Sequence, residues 1–191
     1  MGIGTIVSLT ILAIVLVYAV FIYNGLVSLK HGVSKARSNI QVLLKQRHDE
    51  LPKLIEVCRQ YMEYEKDTLQ RIVEARSQVM KAGEAGDMGA LGRAESQLRI
   101  GLGELFAVAE NYPQLKADEG FQHLRSRISQ LENSISDRRE VYNESVNLNN
   151  VRIEQIPDVL LARAFEFGPF QLLRYSSRET GDVDVRKLFS A

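Results

Sequence analysis

The sequence predicts an all-α protein, with a single N-terminal transmembrane helix followed by an antiparallel up-and-down four-helix bundle of long helices. Three observations carry this. No charged side chain occurs from Met1 to Leu29. Beyond that point, apolar residues recur at alternating three- and four-residue steps, the period of a helix face packed on other helices. Leu, Glu, Arg, Gln and Ala dominate, Trp is absent and only 4 prolines occur, which favours helix throughout.

The anchor is Ile3–Tyr23. Only Gly4, Thr5, Ser8 and Thr10 interrupt an apolar run that includes Ile3, Val7, Leu12, Val15, Tyr18, Phe21 and Tyr23. About 20 residues at ~1.5 Å each span a hydrocarbon core ~30 Å thick. Backbone amides in lipid must be bonded within the segment, so a lone span is helical. Tyr18, Phe21 and Tyr23 come late in the run, where aromatic rings favour the headgroup level. A cleaved signal peptide fits poorly: Met1–Thr5 carries no basic residue, the run is too long, and no small-x-small pair closes it. No nearby Cys accepts a lipid, and Ile6 replaces the Ser or Thr of a myristoylation signal. A buried core helix is disfavoured because the run has no polar face.

Lys30, Lys35, Arg37, Lys45 and Arg47 follow the span, with no acid until Asp49. Basic flanks stay cytoplasmic, so the N-terminus is expected outside and everything after Tyr23 inside. The same cluster is either a headgroup contact or a solvated helix face. The chain has 24 basic and 24 acidic side chains, which gives no nucleic-acid footprint. Its one cysteine, Cys58, excludes an intrachain disulfide.

The elements follow in order. Ile22, Leu26, Leu29, Val33, Ala36, Ile40 and Leu43 continue the anchor helix to about His48, weakened at Asn24-Gly25 and Gly32, either of which is a possible hinge. Asp49-Glu50-Leu51-Pro52 reads as a break and restart. The next helix carries Leu51, Ile55, Cys58, Met62, Leu69, Ile72 and Val79 to Lys81-Ala82-Gly83. Gly83–Gly92, with four glycines, reads as a loop. Leu91, Ala94, Leu98, Leu102, Leu105 and Ala109 line a third helix, ended by Asn111-Tyr112-Pro113. Asp118 caps a last long helix on Phe121, Leu124, Ile128, Leu131, Ile135, Arg138, Tyr142, Ser145 and Asn149, which runs to Ile156-Pro157. The organisation expected is residues 1–24 as anchor, 25–157 as cytoplasmic bundle and 158–191 as tail. That tail holds an apolar piece, Val159–Phe167, and then polar, poorly ordered chain in which Val183-Asp184-Val185 is too short to assign. A parallel coiled-coil dimer is the alternative, but the breaks near 83–92 and 111–118 favour folding back.

Several segments, in order, resemble the LemA family. They are Tyr23-Asn24-Gly25-Leu26-Val27, the run Ser38 to Ile55, Glu74-Ala75-Arg76, and Glu110-Asn111-Tyr112-Pro113-Gln114-Leu115-Lys116-Ala117 with Phe121 and Leu124. Glu132-Asn133-x-Ile135, Arg138, Tyr142-Asn143 and Val146 follow, then Pro157 and Ala162. The match covers roughly Tyr23 to Phe170. Arg37, Lys53 and Asp137 depart from the residues common there. The resemblance implies a single-pass membrane protein with a cytoplasmic four-helix bundle, and it supplies no catalytic activity. Some relatives serve magnetosome membranes, which suggests by analogy a membrane-organising role.

No catalytic or cofactor constellation is apparent. His31, His48 and His123 lie on different elements, so no metal ligand set forms. Cys58 sits on an apolar stripe, where thiols pack rather than react. Gly101-Leu102-Gly103 lies within a helix and lacks the strand context of a nucleotide loop. Glu65, Arg76, Arg138 and Asn149 occupy stripe positions and form a candidate buried polar register, with a Glu65–Arg pair across helices as the natural partnership. A functional polar pocket is the competing reading. Tyr112-Pro113 and Tyr142-Asn143 are expected to tie loops near one end of the bundle. The function expected is a non-enzymatic interaction or scaffold module held on the lipid bilayer. It self-associates through the Ile22–Leu43 helix or binds another membrane protein; the alternative is a regulatory or sensor subunit of a membrane protease or transporter.

Overall fold

A computed structural model describes residues 2–174; Val183-Asp184-Val185 and most of the expected polar tail lie outside them. Six helices occur among the described residues: α1 Ile3–Tyr61, α2 Lys66–Ala85, α3 Met88–Ala109, α4 Pro113–Ala117, α5 Glu119–Glu154 and α6 Asp158–Ala164. No strand appears among the described residues. The chain divides into two units, each with its own packing.

The first unit takes, of the described residues, 2–40 and 137–172. Its start is the one helical stretch among the described residues long and apolar enough to cross a membrane, with 6% of it buried. Ile3, Val7, Leu12, Val15, Tyr18, Phe21 and Tyr23 all face outward. Protein packing begins at the end of that stretch, where Ile22 and Leu26 are buried with Ile153 of α5 and Ala162 of α6, flanked by Leu161 and Phe167. Glu166 turns through the left-handed region at φ 57°. Phe165 and Phe167, on either side of it, both meet the Tyr23 ring edge-on, at 4.9 and 5.8 Å. Helix α1 passes Asn24-Gly25 and Gly32 without interruption.

The second unit holds, of the described residues, 41–136 and 173–174. Its core draws on Leu44, Leu51, Leu54 and Cys58 of α1, Leu69, Ile72 and Val79 of α2, Leu91, Leu98 and Leu105 of α3, and Phe121, Ile128 and Leu131 of α5. Two expected boundaries are corrected here. Asp49–Pro52 is not a break: α1 runs through Pro52 and stops at Tyr61, so the helix expected from Leu51 to Gly83 is divided at Met62–Glu65. Nor is Gly83–Gly92 a loop. Of these glycines only Gly86 takes the left-handed conformation that glycine favours (φ 73°), ending α2; Asp87 then caps α3 by accepting from the Ala90 amide at 2.9 Å. Gly83, Gly89 and Gly92 remain helical because burial of Ala82, Met88, Leu91 and Ala94 outweighs a propensity cost of about 1 kcal/mol per glycine.

Candidate functional site

A buried cluster of charged side chains lies inside the second unit. Arg47 is 1% exposed, and its guanidinium forks to two carboxylates: Nη2 donates to Glu95 of α3 at 2.5 Å, and Nη1 to Glu132 of α5. Glu95 is 2% exposed. Burial works against the charge on Arg47, but Glu95 and Glu132 outweigh it and hold the guanidinium above its ordinary value. Three helices are thereby tied by charges largely withdrawn from water, with Glu132, 19% exposed, at the outer end. Such a set fixes which residues face one another more than it adds stability.

One turn further along α1, the helix meets a proline. Pro52 has no N–H, so the carbonyl four residues back, at His48, loses its helical donor. Arg76 of α2 supplies one, its Nε donating to the His48 oxygen at 3.0 Å. This is why α1 survives Pro52: a side chain replaces the missing backbone donor. The same guanidinium places Nη2 2.6 Å from His48 Nε2. Arginine can only donate, so Nε2 must accept and the imidazole is neutral.

Burial first, and the Arg76 cation second, hold His48 below its ordinary value, against the pull of Asp49 and Glu84. The folded protein therefore takes up this proton less readily than the unfolded chain. Stability is full above the unfolded value, about 6.5, and is lost as pH falls through the lower folded value. The thermal midpoint should fall more steeply between pH 7 and pH 5 in the parent than in His48→Gln, which keeps an acceptor for Arg76. Parallel slopes in the two proteins would exclude this role.

The far end of α1 is tied to the start of α5. Tyr61 donates its hydroxyl to Asp118 Oδ2 at 3.1 Å, and Asp118 Oδ1 accepts from the Phe121 amide at 2.8 Å. Tyr112 points its hydroxyl at Glu65, 3.5 Å away. Beside this corner lies an open cleft of about 1060 Å³ floored by Met62 and Leu69. Its rim charges, Arg59, Glu63, Lys66 and Glu74, are of both signs and face solvent. Cys58 is fully buried, and burial pushes its thiol up to about 12. Among the described residues no three His, Cys, Asp or Glu side chains converge as a metal set.

In the first unit the chain after α6 is strapped to α5 through its backbone. Asn150 donates to the Phe170 carbonyl and accepts from the Phe170 amide, both at 2.9 Å. Tyr142 donates to the Gln171 carbonyl at 2.8 Å, and Asn149 to that of Gly168 at 3.4 Å. Burial raises the Tyr142 hydroxyl above its ordinary value, with the Arg37 cation opposing.

The four residues of the expected polar register therefore part ways. Asn149 is buried in the first unit, while Glu65 and Arg76 are half-buried in the second, with partners of their own in Tyr112 and His48. Arg138 is exposed, which corrects its assignment to a buried stripe. After Ile135 the buried face of α5 steps by four to Arg139, then to Tyr142, Val146 and Asn149, so a second four-residue step shifts the register by one. Tyr112 and Tyr142 each tie a loop, one in each unit. Sequence places Arg47 only in the basic flank and Glu132 only in the family resemblance, and it singles out neither Glu95 nor Asn150. Extending the α1 stripe past Leu43 by four would have pointed to Arg47.

Comparison with known proteins adds a second line. The family model of the LemA family matches residues 36–186. Magnetosome protein MamQ 1 and Magnetosome protein MamQ 2 of Paramagnetospirillum magneticum are each 24% identical over 186 residues, covering 85% of this chain and 68% of theirs. Magnetosome protein MamQ of Magnetospirillum gryphiswaldense is 22% identical with the same coverage.

Proposed function

This chain belongs to the LemA family, and from that premise we propose that it is a non-catalytic, single-pass protein of a bacterial inner membrane. Ile3–Tyr23 anchors it with the N-terminus outside, and a cytoplasmic up-and-down four-helix bundle serves as an interaction scaffold. The observation that carries this is the apolar start of α1, which has no protein around it to bury it. An apolar face that wide is tolerated in lipid, not in water. The basic flank from Lys30 to Arg47 supports the orientation, although Arg47 itself is spent inside the domain. The contacts His48–Arg76 and Tyr61–Asp118 support neighbouring helices that run antiparallel.

The scaffold reading rests on what the polar side chains do. Arg47, Glu95, Glu132, Arg76 and Tyr61 are engaged in joining helices, and the one cysteine is buried with a raised thiol. Relatives designated magnetosome proteins support a part in an assembled structure. The surface for self-association differs from the Ile22–Leu43 stripe, because Ile22, Leu26, Val33, Ala36 and Ile40 are already buried by this chain. Val141, Leu148 and Val151 of α5 are exposed at seven- and three-residue steps and form an apolar stripe free to pair.

Crosslinking mass spectrometry in native membranes tests the proposal. Crosslinks between copies close to Val141–Val151 are expected, lost in Val141→Glu with Leu148→Glu. Stoichiometric recovery of one membrane enzyme instead would favour a regulatory subunit, and a monomer without partners would overturn both.

A further inference from the structure

The end of α5, α6 and the turn after it expose large apolar side chains beside the end of the anchor. Ile156 is 86% exposed, Leu160 67% and Phe165 59%. Each is costly to hold in water, and together they cluster where the first unit begins to pack. Ile22 and Leu26, which straddle the end of the span, are covered by Ile153 and Ala162, immediate neighbours of these exposed residues. Tyr23, the last residue of the span, touches the Phe165 ring. Ile22 and Leu26 are only about 6 Å apart along the axis, whereas the headgroup layer adds roughly 5–8 Å to each side of the hydrocarbon core.

We infer that α6 is a second membrane contact: Ile156, Leu160 and Phe165 insert into the headgroup–acyl boundary of the bilayer that Ile3–Tyr23 spans. The occupant is lipid, because this face is continuous with the lipid-facing end of α1. The surrounding charges fit that depth. Lys30 sits over the Phe167 ring at 5.9 Å, Arg152 pairs with Asp158, and Arg163, Glu154 and Glu166 are exposed. Charges of both signs around apolar anchors suit the headgroup layer, as in helices that lie in the membrane plane. Within α6, Asp158 and Ala162 face inward while Leu160, Arg163 and Ala164 face outward, so the helix is amphipathic with its apolar outer edge unclaimed. The inference rests on the anchoring reading above and adds a docked, rather than a free, membrane-proximal end.

Depth-dependent quenching in the full chain tests it. Single cysteines replace Ile156, Leu160, Glu140 or Leu12, each carries an environment-sensitive maleimide dye, and the protein is reconstituted in phosphatidylcholine–phosphatidylglycerol vesicles. Cys58 is buried, and the unsubstituted chain serves as the blank. Glu140 is an exposed site on α5 about 20 Å before Ile153. Lipids carrying a doxyl group high in the acyl chain should quench the dye at Ile156→Cys and Leu160→Cys roughly two-fold or more over Glu140→Cys, while a deep doxyl group quenches Leu12→Cys. Equal quenching at Ile156→Cys, Leu160→Cys and Glu140→Cys, with Leu12→Cys still quenched, overturns the second contact and leaves the anchor intact. Loss of quenching at Leu12→Cys as well would overturn the anchor and this inference with it.

Discussion

Arg47→Ala should lower the stability of the helical domain by about 3–5 kcal/mol, on the order of 10 °C in thermal midpoint. The substitution strips two carboxylates, one of them 2% exposed, of the guanidinium that faces them. The cost is that of leaving buried charge uncompensated, which exceeds what the pair contributes over an apolar alternative. Hence the companion expectation has the opposite sign: Arg47→Leu with Glu95→Leu and Glu132→Met should be near neutral or stabilising. Thermal melts of the reconstituted protein by circular dichroism decide both. A loss under about 1 kcal/mol for Arg47→Ala would mean that water reaches the cluster.

A pair of glycine substitutions on one helix should move stability in opposite directions. At Gly92 an added Cβ would lie 2.0 Å from the Arg174 carbonyl oxygen, a backbone atom that can yield only if the segment moves. Leu173, 2% exposed beside it, would be pulled from its place. Gly92→Ala is therefore expected to cost about 1–3 kcal/mol and to speed amide exchange at residues 172–174. Gly103 has nothing within 4 Å of an added Cβ. Gly103→Ala should stabilise by roughly 0.5–1 kcal/mol, because alanine loses less backbone entropy on forming helix. Equal effects at the two sites would exclude the close approach at Gly92.

The stripes written in the sequence were the most legible part of the fold. Leu91, Ala94, Leu98, Leu102, Leu105 and Ala109 are all buried, as are Phe121, Ile128, Leu131 and Ile135. A stripe is a statement about one face of one helix, and periodicity reads it directly. Boundaries were harder because they depend on partners distant in sequence. Pro52 looks like a stop until Arg76, 24 positions later, supplies the donor that Pro52 lacks. Gly83–Gly92 looks loose until its neighbours are buried. The polar cluster was the least legible. Arg47 sits among membrane-proximal basic residues, and neither Glu95 nor Glu132 differs locally from a solvated acid; only the fold brings the three together. Arg138 was displaced by a single step of helical phase, which no local residue announces.

The strap after α6 has a consequence for how this protein tolerates change over generations. Three of its attachments reach carbonyls and one reaches an amide, all main-chain groups of Gly168, Phe170 and Gln171. Every residue type supplies a carbonyl, so these positions are held whatever side chain they carry. The instruction for the path of the segment is thus stored elsewhere, in Tyr142, Asn149 and Asn150. Drift at Gly168, Phe170 and Gln171 should therefore matter less than change at Asn150, which supplies two of the four attachments.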